Sequence, residues 1–353
     1  MTKTIFCQPK KILIVKPSAF GDIVHSLPVL SELHARYPDA QIDWVVAKEF
    51  YSFLENHPLI NKLWMIDKKK WKQLSRIRDT FSEILNLKRE LQAEKYDIVI
   101  DLQGLFRSGL ITSFTKAPYR LGFKNAKEGA SFFYNFKDDS DWLTMHAVDR
   151  YLKILDFLDI KTPNKPNFVL PKVTNDLKLL NDLPKEYAVI TPSAGKSANR
   201  WAAEKFGQLA AKLTIPSLVI AGPSDMEIAE KVVANSNGKA ISLAGKTKLL
   251  DLIPIIKNAQ LFFSNDTGPM HIAAALDTPV FAVFGPANPI KTGPYGDNTS
   301  VVQLDLPCIP CYAKRKCEHW ECINGITVEM VVKAVANKMP QFILDEITNE
   351  TNG

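Results

Sequence analysis

Lys11–Leu30 reads KILIVKPSAFGDIVHSLPVL, and Leu261–Leu276 reads LFFSNDTGPMHIAAAL. Both make the same three-part statement. A short run of apolar residues without polar alternation is the pattern of a strand buried on both faces. A polar, glycine-containing turn follows, and then a longer stretch with helical spacing. Strand, turn and helix in that order form half of a βαβ unit, so the chain is expected to be α/β with parallel sheets.

Outward from these two segments the alternation continues. Ile42–Val46 and Asp97–Asp101 are further strands, the second preceded by a long helical stretch from about Lys72 to Ala93, and a short strand lies near Leu121–Gly122. KTPNKPNFVLPKVTN, residues 161–175, breaks the pattern with prolines and polar residues and reads as a linker. Beyond it, Tyr187–Thr191, Ser217–Ala221, Leu261–Ser264 and Val280–Phe284 read as strands. Glu204–Leu213, Met226–Ala234, Pro269–Leu276 and Val328–Lys338 read as helices. The expected domains are 1–165 and 176–327, with a terminal segment 328–353. A chain of 353 residues suits two domains.

Composition narrows the class. With 46% hydrophobic and 23% charged residues the chain is globular. No apolar run approaches the roughly 20 residues that span a bilayer, and Ile12–Val15 is too brief for a signal-peptide core, so a cytoplasmic protein is expected. The net charge of +6 fits either a solvated surface or an anionic partner. Lys68, Lys69 and Lys70 form one basic run, and Lys314, Arg315 and Lys316 another. Neither is interleaved with aromatics in a nucleic-acid signature, so nucleic acid is not an expected partner. The glycine fingerprint of dinucleotide enzymes is missing, which argues against a nucleotide-sugar epimerase or dehydrogenase, and so is the P-loop.

In doubly wound sheets ligands bind beyond the carboxyl ends of the strands, so the turns carry the chemistry. After the first strand, Gly21 permits a tight turn or a close backbone approach, and Asp22 stands where a helix should begin. It is either a helix cap or a general base aimed into the site. In Asn265–His271 (NDTGPMH), Thr267 offers a hydroxyl and Gly268 an unshielded N–H at a positive helix end, with Asp266 before them and His271 one turn on. That is a diphosphate site or a plain cap. Thr191, Ser193 and Gly195, followed by Lys196, Arg200 and Trp201, combine small hydroxyls and glycine with two cations and suit a phosphate. Gly222, Asp225 and Glu227 form another strand-turn-helix, whose carboxylates either bind ribose hydroxyls or cap the helix. Cys308, Cys311, Cys317 and Cys322 are spaced C-x2-C-x5-C-x4-C, which fits a structural zinc site and equally a loop of reduced thiols.

The motifs together resemble glycosyltransferase family 9, the heptosyltransferases. V-K-x-S-x-x-G-D-I-x-H at Val15–His25, D-x-Q-G-L-x-x-S at Asp101–Ser108, and D-T-G-x-x-H at Asp266–His271 carry the resemblance. Asp43–Val46, Ala126–Glu128, Tyr134–Asn135, His146–Ala147 with Arg150, and Phe284–Pro286 leading to Gly296 extend it over nearly the whole chain, most like the heptosyltransferase I branch. The resemblance implies a GT-B fold, two Rossmann-like domains facing across a cleft, with the final helix crossing back to the first. It implies inverting, metal-independent transfer of heptose from ADP-heptose to Kdo of the lipopolysaccharide inner core, with no cofactor required and Asp22 as base. Ser18, Gly21, His25, Lys68, Lys69, Lys70, Gln103, Gly104 and Lys127 fall on the acceptor side. A lipid A–Kdo acceptor implies peripheral contact with the cytoplasmic face of the inner membrane. Two other readings are a GT-B enzyme using a different nucleotide sugar for surface polysaccharide, and a non-catalytic sugar-nucleotide binding protein. One departure is specific to this chain: Asn199 stands where the family usually has lysine, two residues before the tryptophan. Lys196 or Arg200 would then supply the donor-site cation.

Overall fold

The computed structural model describes residues 4–67, 77–141, 144–173, 178–314, 317 and 319–344. The chain divides into two compact units, Met1–Lys172 and Val173–Gly353, and the division falls inside the proline-rich stretch.

The first unit carries six parallel strands: β1 (Lys11–Val15), β2 (Gln41–Ala47), β3 (Lys62–Ile66), β4 (Ile98–Asp101), β5 (Tyr119–Phe123) and β6 (Phe136–Asp138). Its helices are α1 (Phe20–Arg36), α2 (Tyr51–Leu54), α3 (Ile77–Ala93), α4 (Phe106–Phe114) and α5 (Ala147–Lys153). The strand order is β3-β2-β1-β4-β5-β6. Successive side chains alternate between faces. Leu13 and Val15 join Val45, Val99, Leu87 of α3 and Ile111 of α4 in one buried cluster, while Ile12 and Ile14 are buried on the opposite face.

The second unit repeats the plan. Its strands are β7 (Ala188–Thr191), β8 (Ser217–Val219), β9 (Ala240–Ser242), β10 (Leu261–Asn265), β11 (Val280–Val283) and β12 (Thr299–Val302). Its helices are α6 (Ala203–Ala211), α7 (Met226–Ala234), α8 (Leu252–Lys257), α9 (Gly268–Ala275), α10 (Pro289–Thr292), α11 (Glu321–Asn324) and α12 (Val328–Lys338). The order β12-β11-β10-β7-β8-β9 is the first sheet's order read from the other edge. Ile190, Phe263, Phe281 and Val283 pack with Phe206, Val232 and Val331, so α6, α7 and α12 share one face. The last helix, α12, contacts α6, β11 and β12 of its own unit, and the segment beyond Leu344 lies outside the described residues.

Four strands were not legible in the sequence: β3, β6, β9 and β12. All are sheet edges; β6, β9 and β12 have only three or four residues and β3 shows no continuous buried run, which hides them from a search for apolar stretches. The expected helix start at Lys72 lies outside the described residues.

The fold places function through its order. In each sheet the chain reverses direction between its first and fourth strands, β1/β4 and β7/β10. The loops leaving those strands part there and open a crevice, which is where such sheets bind ligands.

Candidate active site

The crevice of the first unit holds Asp22. The helix α1 begins at Phe20, two residues earlier than the sequence implies, so Asp22 lies in its first turn and Gly21 is helical rather than part of the connection. Asp22 is not the N-cap, a position taken by Ala19. Its Oδ2 accepts the Ala19 N–H at 3.1 Å, and its Oδ1 accepts the Tyr151 hydroxyl at 3.1 Å. Lys16 Nζ stands 3.8 Å from Oδ2. About a third of the Asp22 side chain, 35%, stays exposed, so its remaining lone pairs face solvent.

Lys16, which the motif contains without a role, and Tyr151, which no motif singled out, hold Asp22 in place. Lys16 follows a buried strand and looked like its polar end. It is 2% exposed, and its ammonium donates to the Leu102 carbonyl at 3.0 Å and the Tyr151 hydroxyl at 2.8 Å. Burial pushes Lys16 down from its ordinary value, while Asp22 and Asp101 act in the opposite sense. Burial, and then the charge of Asp22, push the Tyr151 phenol well up, so it serves as a neutral donor. Arg150 stacks on the Phe123 ring, 3.9 Å from its centroid, and burial lowers its value from the ordinary one.

The second loop of this crevice is held by Asp101, fully buried at the end of β4. Its Oδ1 accepts the Gln103 and Gly104 N–H groups at 2.8 and 3.1 Å, and its Oδ2 accepts the Tyr134 hydroxyl at 2.6 Å. Burial pushes its carboxyl up, opposed by those donors. Gly104 has φ +65°, a conformation that favours glycine. Gln103 Oε1 accepts the Ser18 N–H at 3.1 Å, and the Gly104 carbonyl accepts the Lys127 N–H at 2.9 Å. Ser18, Gln103, Gly104 and Lys127 are therefore joined directly, close to Asp22. His25 is buried in α1 with its ring 5.0 Å from that of His146. Lys68, Lys69 and Lys70 lie outside the described residues.

In the second unit Asn265, part of the NDTGPMH motif but given no role there, is the organiser. It is fully buried at the end of β10. Its Nδ2 donates to the Pro192 carbonyl at 2.6 Å, and its Oδ1 accepts the Trp201 N–H at 2.9 Å. One side chain thus ties the ends of β7 and β10 to the start of α6. Thr267 is the N-cap of α9, yet its hydroxyl does not cap the helix. Gly268 opens the helix and Pro269 follows, so the Gly268 N–H points out of a positive helix end. His271 is buried one turn further on. Among the described residues, the buried hydroxyls of Thr191, Ser193 and Ser264 have no hydrogen-bond partner, a cost that buried polar groups normally avoid.

The departure at Asn199 has a structural meaning. Asn199 Nδ2 donates to Asp266 Oδ2 at 3.0 Å. A neutral amide occupies the place of an ammonium, and burial pushes the Asp266 carboxyl up to about 6, with Lys196 opposing it. Lys196 and Gly195 are exposed, and a Cβ on Gly195 would meet nothing within 4 Å. Arg200 donates from Nε to the Ala194 carbonyl at 2.8 Å and approaches Asp225 at 3.9 Å. Trp201 is a core residue: it is 2% exposed, stacks edge-on against Phe206, and donates its indole N–H to the Ile326 carbonyl at 2.9 Å. Its contribution is to fix the loop. Gly222 begins the turn Pro223–Asp225. Glu227 is exposed and paired with Lys231 at 3.5 Å on α7, an ordinary surface pair.

The cysteine segment docks on Phe284–Pro286: the Cys311 and Tyr312 N–H groups donate to the Pro286 carbonyl at 3.0 and 2.9 Å. The Cys317 sulfur accepts the Trp320 N–H at 3.4 Å, and burial raises the Cys322 thiol, with the other three cysteines adding to it. Among the described residues no group of three or more His, Cys, Asp or Glu is set to hold a metal ion.

Two parallel sheets of this order in one chain, one presenting an anchored carboxylate and the other a helix that opens on Gly268, are the architecture of a GT-B glycosyltransferase. The model of glycosyltransferase family 9 (heptosyltransferase) matches residues 84–320, and the chain belongs to that family. It is 27% identical over 306 residues to a lipopolysaccharide core heptosyltransferase from Haemophilus influenzae, covering 84% of this chain and 85% of that one. It is 29% identical over 321 residues to lipopolysaccharide heptosyltransferase 1 of Pseudomonas aeruginosa, with 86% of each covered. Among solved structures, the Escherichia coli heptosyltransferase WaaC with ADP superposes with a TM-score of 0.76 at 26% identity, over 93% of this chain and 99% of that one.

Proposed function

We propose that the chain transfers heptose from ADP-heptose to Kdo of the lipopolysaccharide inner core, with inversion and with Asp22 as general base. The relatives are named for lipopolysaccharide heptosyl transfer, and one solved relative carries ADP. The observation that carries the reading is Asp22 itself. Its carboxylate is fixed by two donors and a nearby ammonium, yet is open to solvent at the crevice of the first sheet. A base needs that combination of fixed direction and access to the acceptor hydroxyl, and such a group contributes about 10²–10⁴-fold to rate.

The first unit takes the acceptor in this reading and the second the donor. As the glycosidic bond to the diphosphate breaks, negative charge gathers on the leaving ADP. Thr267, the Gly268 N–H and the α9 end are placed to receive it, with Lys196 and Arg200 as cations. Those cations replace the divalent ion that other transferases use. The protein works at the cytoplasmic face of the inner membrane in this reading; no helix among the described residues is long and apolar enough to cross a membrane. Turnover of a panel of nucleotide sugars with a lipid A–Kdo acceptor tests the substrate. Preferred use of a UDP or GDP donor would overturn it, and loss of turnover in EDTA would overturn the metal-free mechanism.

A further inference from the structure

The loops that follow β4 and β5 leave the same sheet end as Asp22, because parallel strands share their carboxyl edge. They build a surface that the transfer chemistry does not use. Phe132 is 87% exposed and Phe106 47% exposed. Phe133 sits against both, with ring centroids 5.9 Å from Phe132 and 5.5 Å from Phe106. The Phe106 N–H donates to Glu128 Oε2 at 3.2 Å, so the segment carrying Phe132 is tied to the start of α4. Three contiguous rings, two of them in water, differ from the single exposed apolar residue that needs no explanation.

Cations outnumber carboxylates in the stretch that carries them. Residues 104–137 contain six Lys or Arg and one Glu, a local excess of +5 in a chain whose total is +6. Asp138, Asp139 and Asp141 follow, and Asp139 pairs with Lys124 at 3.6 Å, which leaves exposed Arg107 and Lys127 as the cations nearest the rings in sequence. Arg107 flanks Phe106, and Lys127 joins the Gly104 loop by the backbone contact already described.

We propose that Phe106, Phe132 and Phe133, with Arg107 and Lys127, form a docking surface for an anionic phospholipid bilayer. Aromatic rings enter the headgroup–acyl boundary while flanking cations meet the negative surface, and neither signal alone gives stable attachment. The surface lies at the sheet end that carries Asp22, so a saccharide anchored in that bilayer is delivered where the base stands. The inference rests on the reading of the acceptor as lipid-borne.

The test is sedimentation with vesicles of phosphatidylglycerol and phosphatidylcholine in equal parts, and with phosphatidylcholine alone. The full chain binds the anionic vesicles, loses them at high salt, and binds the neutral ones weakly. The double variant Phe106→Ser, Phe132→Ser weakens anionic-vesicle binding by about tenfold or more. Phe6, equally exposed at 87%, is the control: Phe6→Ser binds as the parent does. Both variants turn over a deacylated, soluble acceptor at the parent rate, which separates this surface from the transferase reading. Unchanged vesicle binding by the double variant overturns the proposal. So does equal binding to neutral vesicles, or a parent protein that ignores vesicles and self-associates through the rings.

Discussion

Asp266 offers a stability experiment whose size follows from the structure. Its carboxyl ordinarily titrates at 3.8 and is pushed up to about 6, mainly by burial. That gap corresponds to about 3 kcal/mol of folding free energy. The folded state keeps this proton to a higher pH than the unfolded state does. Stability therefore falls as pH rises from the ordinary carboxylate value through about 6, and the full cost remains above it. Asp266→Asn removes the titration while its amide oxygen still accepts the Asn199 Nδ2–H. The second unit of this variant should be more stable than the parent by about 2–3 kcal/mol near pH 7.5, with the difference vanishing near pH 4. Asn199→Lys, which supplies the missing ammonium, should flatten the same pH window while keeping the carboxylate. Urea unfolding across that range, resolved by unit with limited proteolysis and mass spectrometry, reads the effect. An Asp266→Asn variant no more stable than the parent at neutral pH, with the parent's pH dependence intact, would refute the reasoning. If Asp266 serves the donor as proposed, the stabilised variant should transfer poorly.

Three further outcomes are expected. Tyr151→Phe and Lys16→Met each remove a group that holds Asp22 in place, and should lower kcat by about tenfold while leaving KM for the donor unchanged; kcat at the parent level would assign both residues to packing alone. Asn265→Ala leaves the Pro192 carbonyl and the Trp201 N–H unmatched in a buried place, so equilibrium unfolding should show a loss of about 2–4 kcal/mol and donor KM should rise. Gly122→Ala puts a Cβ 2.4 Å from the Tyr134 ring, whose hydroxyl holds Asp101; displacing that ring should cost about 1–3 kcal/mol, measurable as a lowered Tm.

The central strands were legible because burial on both faces leaves an unbroken apolar run, as in β1 and β10. The edge strands were not, because half their residues face solvent. Site motifs were legible where chemistry constrains a short contiguous stretch, as at Asp22 and Asp266–His271. The roles of Lys16, Tyr151 and Asn265 were not legible because their partners are distant in sequence. Tyr151 meets Asp22 across 129 residues, and Asn265 meets Pro192 across 73. Trp201 shows the converse. Its place in a motif made it a donor-site candidate, whereas its indole is sealed in the core and only its backbone joins the site. Glu227, read as a ribose ligand or a helix cap, stands exposed in the first turn of α7 and pairs with Lys231.

The account stands or falls on Asp22 as the base. The direct measurement is kcat for transfer from ADP-heptose to a Kdo-bearing acceptor by Asp22→Asn, alongside the affinity of the same variant for ADP. The substitution keeps the side chain's size and one of the two oxygens that accept from Ala19 and Tyr151, turns the other into an amide NH2, and cannot take a proton. The account predicts a fall in kcat of about 10²–10⁴-fold with ADP affinity unchanged. Transfer at the parent rate by Asp22→Asn would contradict it.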